Sequence, residues 1–182
     1  EAHMPGPAGD AAREAVGDYL AFHATAEFVI PGVHLGTRYE HSPLVETEAG
    51  PAAPDGANLY VPCARAGHRA PHAWIEDGRS LYDRFGPGFT LLCTDHEGIG
   101  TCHEAALHRA ASVLPQLAIV HVDEPAVAAL YKAAFVLIRP DQHVAWRGDA
   151  LGDAFEAAAR RAMGHANVGI DSALEPVCPA PA

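Results

Sequence analysis

Short apolar runs alternate with stretches of helical spacing through the C-terminal half of the chain. Phe89 to Thr94 and Leu117 to Val122 are runs of strand length, rich in branched and large apolar residues. Between them the pattern predicts a helix over Thr101 to Leu114, with Thr101 as its cap and Glu104 completing a capping box. Pro125 to Lys132 reads as a short helix with proline in its first turn, and Leu151 to Met163 as a last helix. The sharpest signal lies between these two helices. Phe135 to Ile138 reads as a buried strand, Pro140-Asp141 as a type I turn, and His143 to Gly148 as a returning strand. Strict alternation there sends His143, Ala145 and Arg147 to one face and Val144 and Trp146 to the other. One of these faces is then expected on a core and one nearer water.

The N-terminal half is less regular. Residues 1–9 are rich in Pro, Gly and Ala and are expected to be mobile, with Asp10 capping a helix from Ala11 to Phe28 that stops at Pro31-Gly32. Its wide, interrupted apolar face suits a helix packed on something else. Leu35 to Val45 is expected to be extended, and the acidic, Pro-rich stretch from Glu46 to Asn58 to be a surface excursion or linker. Gly67 to Ile75 should be extended, and Ser80 to Phe85 a turn or short helix. From Phe89 the order is β-α-β-α-β-β-α. A strand, helix, strand unit implies a parallel pair, and the tight hairpin an antiparallel one. The fold class predicted is α/β: a thioredoxin-like mixed sheet flanked by helices, without a Cys-x-x-Cys pair.

Composition narrows the function. The chain has 182 residues and is 49% hydrophobic, with no run of the roughly 20 apolar residues that cross a bilayer, so cytoplasmic residence with no membrane partner is expected. A net charge of −11 and scattered arginines argue against nucleic acid. The opening Glu1-Ala2-His3-Met4 suggests a processed product, an expressed segment or a piece of a longer polypeptide. Four cysteines, Cys63, Cys93, Cys102 and Cys178, form no Cys-x-x-Cys pair, which favours reduced thiols. Cys93 reads as a small buried hydrophobe, and Cys102 at a helix start has no resolving partner. Cys93, His96, Cys102, His103 and His108 invite a metal reading, but the spacing fits no ordinary ligand pair, since His103 and His108 lie on different helical faces. His72 beside Trp74, and Arg38 beside Tyr39, lack a nameable nucleophile or orienting carboxylate. Arg69, Arg139 and Arg147 are better explained as ties between segments, paired with acids such as Asp83 or Asp141 and laid against Trp74 or Trp146.

Three blocks carry a family resemblance: Gly67-His68-Arg69-Ala70-Pro71-His72-Ala73-Trp74-Ile75, then Gly78 to Leu92, and the hairpin with Ile138-Arg139-Pro140-Asp141 and Val144-Ala145-Trp146-Arg147. In this order they resemble the C-terminal region of FAD-dependent aromatic-ring monooxygenases of the phenol hydroxylase type. That family includes chlorophenol and aromatic polyketide hydroxylases. Ala66 departs from it, standing where the family often has proline. The resemblance implies residues 1–58 as a helix and linker from a preceding flavin portion, and residues 59–182 as the thioredoxin-like domain. It implies a parent protein that uses FAD and NAD(P)H, with the FAD- and substrate-binding portion as this domain's partner and a homo-oligomer as a further one. No Gly-x-Gly-x-x-Gly fingerprint follows a strand, and Gly98-Ile99-Gly100 is a lone fragment. Catalytic, cofactor-binding and metal-binding residues are therefore expected to be absent from this segment. The rival expectations are a free-standing thioredoxin-like interaction or structural domain, and a thiol or metal enzyme.

Overall fold

The apolar runs of the C-terminal half assemble into one four-stranded sheet. In this computed structural model the described residues are 1–75, 78–94, 101–114 and 116–165. Strands β1 (Thr90–Cys93), β2 (Ala118–His121), β3 (Phe135–Ile138) and β4 (Val144–Gly148) lie in the order β2-β1-β3-β4. β1 runs parallel to β2 and antiparallel to β3, and β3 runs antiparallel to β4. This is the mixed sheet predicted from the element order. β1 and β3 are buried along their whole length, as central strands covered on both faces must be.

Each face has its own core. Leu91, Phe135, Leu137 and Trp146 pack against Ala106 and Ala110 of helix α3 (Thr101–Val113), Leu114 just beyond it, and helix α5 (Asp153–Ala162). Phe155, Ala158, Ala159 and Ala162, at spacings of three, four and seven, form the buried stripe of α5. Trp146 meets Phe155 edge-on at 5.4 Å. On the opposite face Leu92, Val120, Val136, Ile138 and Val144 pack with Val127 and Tyr131 of helix α4 (Pro125–Tyr131), and with Ala70, Ile75 and Leu81. Leu81 begins a 3₁₀ turn, Leu81–Arg84, closed by a capping box between Ser80 and Asp83.

The hairpin departs from strict alternation. Ile138 pairs with Val144 while Leu137 pairs with Trp146, so Ala145 is the extra residue of a β-bulge. The bulge returns Arg147 to the face of Val144 and Val136, opposite Trp146, whereas alternation put Val144 with Trp146. Neither face of β4 is left to water: residues 143–146 are all buried. Gln142, with φ of +64°, closes the turn by donating its N–H to the Arg139 carbonyl.

Helix α1 (Pro7–Phe28) begins three residues before the expected cap, because Gly6-Pro7 offers proline at the first helical position. Asp10 sits in the first turn and pairs with Arg13, whose guanidinium also holds the Ala2 and Met4 carbonyls. The first residues are thus folded back on the helix. Pro31 starts a second helix, α2 (Pro31–Leu35), that the pattern had read only as a stop. The Thr101 side chain and Glu104, the predicted capping box of α3, lie outside the side chains described.

Candidate functional site

The residues with most chemistry meet at one seam, where 37–50 crosses the Gly67 block and the hairpin. Gly67 makes the crossing possible. It has a φ of +88°, and a Cβ there would lie 2.7 Å from the Glu40 backbone. Its N–H donates to the Val144 carbonyl, while its own carbonyl accepts from the Tyr39 N–H. Arg38 bridges His68, and Arg69 bridges His143, in antiparallel sense. Beneath the block, Tyr131 Oη donates to the Pro71 carbonyl at 2.8 Å and Tyr82 Oη to that of Ala70.

Two acid groups are locked into this seam. Arg147 holds Glu48 through two parallel bonds, Nε to Oε1 at 2.9 Å and Nη2 to Oε2 at 2.7 Å. The Ala66 N–H donates to the same Oε1 at 2.8 Å. Desolvation pushes the Glu48 carboxyl up, but these bonds and the charges of Arg147 and Arg65 outweigh it and hold the group below its ordinary value. Arg65 Nη atoms grip the Glu48, Ala49 and Gly50 carbonyls, and Arg161 reaches Glu46. The stretch expected as a surface excursion or linker is tied down over 46–50. Arg38 fixes its far end by the Ala53 and Pro54 carbonyls.

Glu40 meets His68. Glu40 Oε1 lies 2.8 Å from His68 Nε2 and 3.1 Å from Arg65 Nε, and the half-buried Cys63 lines the same small hollow as His68. Burial lowers the basicity of His68, yet its bonds to Cys63 and Glu40 raise it above the ordinary imidazole value. Cys63 is lowered, first by the His68 hydrogen bond, against desolvation, and further by the Arg65 N–H and the charges of His68 and Arg147. Sequence reading missed this pairing of imidazole and carboxylate. His68 inside Gly67-x-Arg69, five residues after a cysteine, was a signal, but nothing local pointed to Glu40.

The residues singled out from sequence are scattered elsewhere. Arg139 pairs with Asp141 at 2.7 Å, as expected of a tie across the turn. Arg69 instead donates to Gln142 Oε1 at 3.0 Å and lies over the Tyr82 ring, not against a tryptophan. Arg147 reaches Glu48, not Asp83 or Asp141. Trp74 is 72% exposed and meets His72 edge-on at 4.8 Å. Cys93 is buried in β1, and desolvation pushes its thiol up to about 12. His108 is exposed on α3. His96 and the side chains of Cys102 and His103 lie outside the description, as does Cys178. Among the described residues no group of three metal-ligating side chains converges. No helix there is long and apolar enough to cross a membrane.

The family described as "Aromatic-ring hydroxylase, C-terminal" matches residues 64–166. The FAD-dependent monooxygenase apdD of Emericella nidulans is 32% identical over 150 residues, 80% of this chain and 24% of its own length. Aklavinone 12-hydroxylase RdmE of Streptomyces purpurascens is 34% identical over 132 residues, 65% of this chain and 24% of its own. Among solved structures, native and K252c-bound RebC-10x superposes with a TM-score of 0.68 at 39% identity, covering 91% of this chain and 31% of that one. The chain thus spans about a quarter of the length of the curated relatives it matches. With a family match running over more than half its residues, the chain belongs to the family of aromatic-ring hydroxylase C-terminal domains.

Proposed function

We propose that this chain is the C-terminal, non-catalytic domain of a monooxygenase that uses FAD and NAD(P)H to hydroxylate a phenolic or polyketide aromatic ring. The observation that carries this reading is α1. Val16, Tyr19, Leu20, Phe22 and Phe28 stand at least about half exposed along a helix of roughly 33 Å. A soluble domain rarely leaves so long an apolar surface bare, so α1 is read as the face that packs on the FAD- and substrate-binding portion. In this reading residues 1–58 lead in from that portion and residues 59–182 form the domain proper.

The relatives support the reaction class, being a FAD-dependent monooxygenase and an aklavinone hydroxylase. Local chemistry supports placing FAD in the companion portion. β2 runs into α4 through Val122-Asp123-Glu124-Pro125, an acidic turn with proline at the helix start, which suits no pyrophosphate. The flavin, when bound, supplies the oxygen chemistry. This domain's share is to pack and to hold the companion portion in place.

The test is to tag the gene in its own host, purify its whole product, and measure bound flavin and phenol-dependent NAD(P)H oxidation. Stoichiometric FAD and nicotinamide oxidation are expected. A flavin-free product no longer than this chain, inert toward phenols, would sink the reading in favour of a free-standing domain.

A further inference from the structure

A second exposed aromatic surface lies on the domain proper, away from α1. We infer that the FAD-binding portion of the same polypeptide also covers Trp74, an inference that rests on the reading of α1 as its docking face. Trp74 is 72% exposed, whereas Trp146, the other tryptophan of the chain, is 6% exposed. Its mount is rigid. Trp74 bridges Ser80, the Ile75 N–H donates to the Arg79 carbonyl at 3.1 Å, and the Leu81 N–H donates to that of Ala73 at 2.9 Å. Ile75 and Leu81 root this small ladder in the core. An indole held this way has little freedom left to lose on binding, which is what makes tryptophan a strong anchor in interfaces.

Continuity with the α1 face and the length of the relatives name the occupant. Phe22 and Val29 of the α1 end share a groove with Asn58, and the adjacent Leu59 lines one hollow with Leu35, Val61 and Arg69. Leu35, Leu59 and Val61 are 42%, 46% and 41% exposed. Arg69 lies over the Tyr82 ring, Tyr82 meets His72 edge-on at 5.4 Å, and His72 meets Trp74 at 4.8 Å. A body seated on α1 that spreads over these residues arrives at the tryptophan. The match takes up 24% of apdD and of RdmE, so about three quarters of such a polypeptide lies outside it, enough to reach both patches. A second copy of this chain would instead bring a net charge of −11 against an equal charge. With Trp74 covered, the companion portion grips the domain itself as well as the helix leading into it, and two separate contacts fix its orientation.

The experiment exposes the whole gene product, folded and in urea, to hydroxyl radicals and follows oxidation of each tryptophan by mass spectrometry. Trp74 is expected to be protected about tenfold relative to the unfolded protein, as a residue sealed from water in an interface is. Trp74 oxidised as fast folded as unfolded, with Trp146 protected in a flavin-bearing product, overturns the inference and leaves the reading of α1 standing. A flavin-free product no longer than this chain sinks that reading and the inference together. Ultraviolet cross-linking of a Trp74→p-benzoylphenylalanine variant then identifies the cover. Capture of a peptide N-terminal to Glu1 supports the inference. Capture of a second molecule of the chain, capture of residues 166–182, or no capture overturns it. Should that variant fail to fold, the same probe at the exposed Val61 decides by the same outcomes.

Discussion

At the scale of single residues, the seam depends on one glycine and one arginine. Gly67→Ala places a Cβ against the Glu40 backbone and forces φ of +88° on an L residue, which together cost about 2–4 kcal/mol. Urea unfolding checks this, and a midpoint unchanged from the parent would contradict the crossing described. Arg147→Ala strands a partly desolvated Glu48 carboxylate, and a loss of about 2 kcal/mol is expected, below the range for fully buried pairs. The acid limb of stability follows from the same pair. Because Glu48 is held below its ordinary 4.5, its contribution is complete above that value and vanishes as pH falls through the lower folded value. Glu48→Gln is therefore expected to be less stable near neutrality and to show a flatter decline of urea midpoint below about pH 4.5. An undiminished decline would assign the acid sensitivity elsewhere.

Among the elements, α5 and α1 make opposite predictions. Phe155→Ala opens a cavity under Trp146 and is expected to cost about 3–5 kcal/mol, read by denaturant titration. Leu20→Asp on α1 should leave this chain's unfolding midpoint within about 0.5 kcal/mol, because the side chain is 58% exposed. In the whole protein the same change is expected to loosen the flavin portion, seen as faster flavin loss. The two helices also show what was legible beforehand. β1, β2, β3, α3, α4 and α5 fell within one or two residues of expectation, since apolar period, Pro125 and the Pro140 turn act locally. The start of α1 was misjudged because Asp10 and Pro7 compete as start signals. The facing of β4 was wrong because one extra residue, Ala145, inverts the alternation after it. The pairs of the seam were beyond local pattern altogether: Glu40 to His68 spans 28 positions and Glu48 to Arg147 spans 99.

At the scale of the whole molecule, stability is concentrated around the sheet. Two cores press on β1 and β3, whereas among the described residues of α1 only Gly9 is buried. Hydrogen exchange of the intact chain should therefore show β1 and β3 amides opening only with global unfolding, and mid-α1 amides exchanging with far lower protection. Equal protection would mean that α1 is packed in a way the fold does not show. The 99-residue span of the Glu48 to Arg147 bond has a temporal side as well. On a ribosome extending the chain at about 5–20 residues per second, Glu48 waits roughly 5–20 s for its partner to be synthesised. Through that interval 46–58 must remain soluble and uncommitted. Its two prolines and scarcity of large apolar residues suit a segment that has to wait before it docks.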